Sequence, residues 1–140
     1  MQIHTIKLQL GRKFEAVVAV SGTVSLYGLA ETLIGALGFQ FDHAFGFYDN
    51  LKNPYDSRIK YTLFADMGES DDGEPGVEKT PVSEVFTVGK KMLFYFDYGD
   101  QWLFPVTCTE VQDASSKRKI RRILSTKGTP PVQYPPCEED

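Results

Sequence analysis

Apolar and polar residues alternate at the start of the chain. Ile6, Leu8 and Leu10 fall on one face and Lys7 and Gln9 on the other, the period of a strand buried on one side. Gly11-Arg12-Lys13 supplies a turn, because glycine accepts the positive φ that tight hairpins need. Residues 14–20 are rich in β-branched side chains and predict the return strand. The period then changes. Leu26, Leu29, Ala30, Leu33, Ile34 and Leu37 recur at helical spacing as one apolar stripe. Ser25 stands where a hydroxyl caps the first turn, and Gly38 where a helix ends in a left-handed residue. Phe45 and Phe47 alternate within the aromatic segment 39–48 and predict a strand; residues 50–54 are a loop. A further short strand is predicted over 58–64. The glycine- and acid-rich stretch 67–79 predicts a solvated loop. Thr80-Pro81 predicts a short helix through Phe86, with the threonine as cap and the proline at the first helical position. Strands follow over 91–97, 102–111 and 117–125. Turns are expected at Gly89-Lys90 and Asp100-Gln101. The proline-rich tail 130–140 is expected to lie over the surface.

That order predicts an α+β fold in one domain covering residues 1–140. A twisted, mostly antiparallel or mixed sheet carries the helix 26–37 on one face, and the chain starts ββα as β-grasp folds do. At 140 residues the length suits one domain, which buries roughly 70% of its unfolded surface. The 41% apolar and 24% charged content places the chain among globular proteins. Ten Phe, seven Tyr and one Trp present too much ring surface to leave in water, so many must pack together. A net charge of −4 argues against a surface that grips nucleic acid as a whole, while leaving room for a local patch. The two cysteines, Cys108 and Cys137, are too few for a disulfide scaffold. The N-terminus lacks a leader pattern, and no apolar run is long enough to span a bilayer. A cytoplasmic protein with reduced thiols and no membrane partner is expected.

The segment Phe96-Asp97-Tyr98-Gly99-Asp100-Gln101-Trp102 resembles the Tyr-Asp-Phe-Gly-Asp-x-Trp signature of the plasmid ORF-3-like family, named from a reading frame on an Ri plasmid. Leu26, Leu29 and Ile34, then Gly38-Phe39 and Asp42-His43, resemble that family's helix and the Gly-Trp and Asp-x-x-His elements after it. Gly128, Pro131 and Gln133-Tyr134-Pro135 resemble its closing stretch, so the likeness covers nearly the whole chain. The chain departs from the family at Phe14-Glu15, where Trp-Arg is usual, and at Ala30 and Phe104, where histidines are usual. Two of three family histidines are absent, which implies loss of any site that depends on them. The resemblance implies an α+β fold with a largely antiparallel sheet, an association with mobile elements, and no established activity.

The resemblance groups Asp97, Asp100 and Trp102 with Asp42 and His43. Carboxylates and an imidazole suit a ligand or a divalent ion, with Trp102 as a wall. The same residues also suit a plain turn, in which aspartates bond nearby backbone N–H groups and the indole fills the core. Five of the six residues Lys117, Arg118, Lys119, Ile120, Arg121 and Arg122 are cationic and could contact phosphates; on a strand they split over two faces, as in protection of a sheet edge. Asp66, Glu69, Asp71, Asp72 and Glu74 do not follow EF-hand spacing and read as solvated. Cys108 reads as a small core residue and Cys137 as an exposed thiol. No nucleophile elbow, phosphate loop or metalloprotease helix is present. The expectation is a binding or interaction module with no catalytic residues, no metal and no cofactor, and with an unidentified protein as partner. A nucleic-acid-associated accessory protein of mobile elements and a small metal-dependent hydrolase using the Asp/His cluster are the alternatives.

Overall fold

The computed structural model describes residues 1–70, 72–115 and 117–135. Strand β1 (Gln2–Leu10) and strand β2 (Phe14–Ser21) form the opening hairpin, with Ile6 opposite Val18 and Leu8 opposite Ala16. Helix α1 (Leu26–Leu37) follows. The Ser25 hydroxyl accepts the Gly28 N–H at 3.1 Å, and Gly38 closes the helix at φ 74°, its N–H turned back to Gly35 and Ile34. Its buried residues include the whole predicted stripe, and it packs on β2 and the last strand.

Strands β3 (Phe45–Tyr48), β4 (Lys60–Thr62), β5 (Lys91–Phe96), β6 (Trp102–Asp113) and β7 (Arg121–Gly128) complete one seven-stranded sheet in the order β4-β3-β5-β6-β1-β2-β7. Every strand pair is antiparallel. With its helices, this makes an α+β architecture. The helix side of the sheet holds the main core. Phe45, Phe47, Phe94, Phe96 and Phe104 lie there fully buried, and Phe47 stacks on Phe94 at 5.0 Å. Each such ring contributes roughly 1.5–3 kcal/mol by leaving water. The opposite face carries a smaller cluster of Tyr48, Leu93 and Tyr95, joined by Tyr98.

Several elements differ from the pattern reading. The expected strand over 58–64 stops at Thr62, whose hydroxyl caps a short helix α2 (Leu63–Asp66) by accepting the Ala65 N–H. Thr80 does not cap the next helix. Its hydroxyl donates to the Gly76 carbonyl, Pro81 takes the N-cap position, and α3 spans Val82–Val85. The last strand begins at Arg121; Ile120 still accepts the Ser21 N–H, but its own N–H donates to the Ser21 hydroxyl and not to a backbone carbonyl. The acid-rich loop is not simply solvated. Asp66 accepts the Val77 N–H at 2.7 Å and the Glu78 N–H at 3.2 Å, and Val77 is fully buried.

Candidate functional site

Phe96 and Trp102 form the last pair of the β5–β6 hairpin, and the connection between them turns on Asp97. This residue sits at φ 64° and Gln101 at φ 58°, the left-handed region that aspartate tolerates better than most side chains because its short carboxylate bonds locally. Asp97 Oδ1 accepts the N–H groups of Gly99 and Asp100 at 3.1 and 3.2 Å. Its own N–H donates to the Ala44 carbonyl, which docks the hairpin against the segment before β3. One carboxylate oxygen is therefore fully engaged in shaping the loop. The other, Oδ2, is buried and accepts no hydrogen bond. It lies 3.5 Å from His43 Nδ1, on a residue that is 4% exposed.

Around His43 three elements meet. Asp42 Oδ1 stands 2.7 Å from Nδ1. The Tyr134 hydroxyl lies 3.2 Å from the same nitrogen and donates to Asp42 Oδ2 at 2.7 Å. Gln133 brings the tail in by pairing with Gln40, accepting its N–H at 2.7 Å and donating to its carbonyl at 3.1 Å. Its amide also reaches Asp42 Oδ1 at 3.2 Å. A carboxylate only accepts, so Nδ1 is the protonated nitrogen of His43. Nε2 makes none of these contacts, and the half-exposed ring stands edge-on to Phe96 at 6.2 Å. The hydrogen bond that His43 donates to Asp42 raises the His43 pKa, with the charges of Asp97, Asp42 and Asp100 adding to it. The Tyr134 hydrogen bond, more than His43, lowers that of Asp42. Donating to that carboxylate pushes the Tyr134 phenol up to about 12.

The structure thus brings Asp42, His43 and Asp97 into contact, with Asp100 exposed on the loop beside them. Trp102 belongs mainly to the core. Its ring is parallel to Phe104 and edge-on to Phe39 at 5.1 Å, with Nε1 buried and unbonded. Gln133 and Tyr134 escaped the site reading, although they stand in the closing stretch that carries the family likeness. Asp42 does not cap the segment after it but takes these two side chains instead.

The other candidates lie elsewhere. Lys117 and Lys119 are exposed on the approach to β7 and Arg118 is exposed between them. Arg121 pairs opposite Val20 on the helix side, where its guanidinium donates to Glu31 at 2.6 Å and to the Gly28 carbonyl at 3.2 Å. Arg122 pairs opposite Ala19 on the other face. The cations are therefore divided along an edge strand whose residues are all exposed. In the acidic loop, Glu74 accepts from Thr62 and Ser70, Asp72 pairs with Lys60, and Glu69 is exposed; Asp71 lies outside the described residues. Cys108 is buried in β6, and that burial raises its thiol pKa. Cys137 lies outside the described residues. Among the described residues no three His, Cys, Asp or Glu side chains stand so as to hold a metal; at His43 the nitrogen facing the carboxylates is committed to hydrogen bonds. No described helix is long and apolar enough to cross a membrane.

A family model described as plasmid pRiA4b ORF-3-like protein matches residues 2–133. Among solved structures, a protein of unknown function from Methanosarcina mazei Go1 is similar, with a TM-score of 0.63 and 19% identity over 86% of this chain and 67% of that one. At that identity the likeness carries the fold alone. No curated protein matches.

Proposed function

The chain belongs to the plasmid pRiA4b ORF-3-like family, and on that premise we propose that it is a non-catalytic binding module whose end-of-sheet cluster receives a basic side chain of a protein partner. The observation that carries this reading is the buried, unbonded Oδ2 of Asp97 beside His43 Nδ1. A buried carboxylate oxygen without a donor is costly, and the local fold keeps it by placing Asp97 in a left-handed turn. The surrounding charge gives it a sense. Asp42, Asp97 and Asp100 outnumber the single imidazole, so the cluster stays negative even with His43 protonated. A guanidinium suits such a site because its planar fork of donors matches carboxylate oxygens. Tyr134 adds an aromatic wall, half exposed at the rim.

The reading is tested by titrating the protein with N-acetyl-arginine amide while following backbone amides by NMR, with N-acetyl-glutamate amide as control. Shifts at Gly99, Asp100 and Gln101 are expected with the arginine probe, and are expected to vanish in Asp97→Asn. Equal shifts with both probes, or none with arginine, would overturn it.

A further inference from the structure

The β5–β6 loop faces two ways. Asp97 turns toward His43, while its neighbour Tyr98 crosses to the other side of the sheet and joins rings that the first site does not use. Tyr98 lies 4.3 Å from Tyr95 of β5 and 4.9 Å from Phe64 of α2, measured between ring centres. Its hydroxyl bonds that of Tyr48 at 2.7 Å. Tyr55, on the 3-10 turn Pro54–Asp56, bonds the Tyr95 hydroxyl at 2.8 Å. Space for Tyr98 exists because residue 46 is glycine. A Cβ there would stand 3.0 Å from the Tyr98 hydroxyl and 2.9 Å from the Tyr61 carbonyl oxygen.

Tyr48, Tyr55, Phe64 and Tyr98 wall a cavity of about 480 Å³, within the usual range for small-molecule sites. The rest of its lining is polar: the carboxylates Glu69, Asp72 and Glu74, the cation Lys60, and the hydroxyls of Thr62 and Ser70. Lys60 is tied to Asp72 and its charge also acts on Glu74, so among the described lining residues three carboxylates face one cation. Burial works to raise the Glu74 pKa, but the Ser70 and Thr62 hydroxyls, a backbone hydrogen bond and the Lys60 charge together lower it. Arg58 lines the adjoining opening instead. The phenols bond one another in two pairs, so each pair keeps only one O–H to donate outward, and ring surface and carboxylates make up most of the remaining recognising groups.

We propose that this aromatic chamber is a second binding site, for a methylated or quaternary ammonium group. Such a cation is drawn to ring faces by their quadrupole and sheds its water easily, and the excess of carboxylates over cations nearby adds attraction at longer range. Plain ammonium holds its water more tightly, so leaving water for ring faces costs it more. The group could reach the site on a free molecule or on a methylated lysine of another protein.

Isothermal titration of the full chain with choline, with the Nα-acetyl amide of trimethyllysine and with the same derivative of unmodified lysine tests this. Binding of a methylated cation is expected at least about 5-fold tighter than of unmodified lysine, in line with about 1 kcal/mol or more for a cation over rings. Tighter binding of choline assigns a free molecule, and tighter binding of trimethyllysine a protein side chain. Tyr55 is well exposed, so its variants keep the fold: Tyr55→Ala should weaken binding about 5-fold or more, while Tyr55→Phe, which keeps the ring, should not. Equal affinity for lysine and trimethyllysine, no binding of either methylated cation, or a Tyr55→Ala protein that binds as the wild type would overturn the proposal.

Discussion

Replacing Asp97 separates the two jobs assigned to its two oxygens. In Asp97→Ala the Gly99 and Asp100 N–H groups lose their shared acceptor, at about 1 kcal/mol each. Alanine must also hold φ 64° without a local bond to favour it, adding about 1–2 kcal/mol. The sum is about 3–4 kcal/mol, a large part of the roughly 5–15 kcal/mol that holds a typical domain folded. In a chain of this size it lowers the melting midpoint on the order of 10 °C. Asp97→Asn keeps an acceptor at the Oδ1 position and keeps a side chain at home in the left-handed region, so it should cost less than about 1 kcal/mol. It does remove the negative charge that helps raise the His43 pKa, so that pKa should fall. Urea unfolding read by far-UV circular dichroism, with an NMR titration of the imidazole, measures both effects. An alanine variant as stable as the wild type, or an asparagine variant as damaged as the alanine one, would refute this division of roles.

The pH dependence follows from the same residues. His43 is raised above its usual 6.5, so its contribution to stability is complete below about pH 6.5 and is lost as pH rises through the folded-state value. Asp42 is lowered below 3.8, so its contribution is complete above that value and is lost as pH falls through the folded-state value. Thermal midpoints should therefore be highest between these limits, and His43→Ala should flatten the alkaline side. Tyr134→Phe removes the hydrogen bond that most lowers Asp42, so the Asp42 pKa should rise toward 3.8 in a carbon-13 NMR titration; an unchanged value would mean the phenol does not donate there. Gly128 sits at φ 85° with the Lys13 carbonyl oxygen 2.1 Å from where a Cβ would be. Gly128→Ala should therefore cost more than about 2 kcal/mol and free the end of β7, seen as faster amide exchange at Thr126 and Lys127.

How much of this was legible in the sequence depended on what each segment buries. The α1 stripe could be read residue by residue because its face is buried against the sheet and its ends carry local caps, Ser25 and Gly38. Strand β7 buries nothing, so no alternation marked its limits, and the neighbouring cations drew the predicted start forward to Lys117. Leu63 and Phe64 read as the end of a strand because both are apolar, yet the Thr62 cap decides for a helical turn over Leu63–Asp66. In the site, Asp42, His43 and Asp97 were found through the family signature. Nothing in the pattern of the proline-rich tail showed that Gln133 and Tyr134 return across more than ninety positions to the same carboxylate. Such contacts depend on tertiary approach, and a lone Gln-Tyr pair has no period to betray it.

The most direct test of the cluster is the nitrogen-15 NMR spectrum of the His43 imidazole across a pH titration. Hydrogen bonding through Nδ1 to Asp42, beside Asp97, predicts a pKa above 6.5 and, above that pKa, a neutral ring carrying its proton on Nδ1 with Nε2 free. A pKa at or below 6.5 with the proton on Nε2 would show that His43 is not held by the two aspartates, and the proposed binding site would lose its foundation.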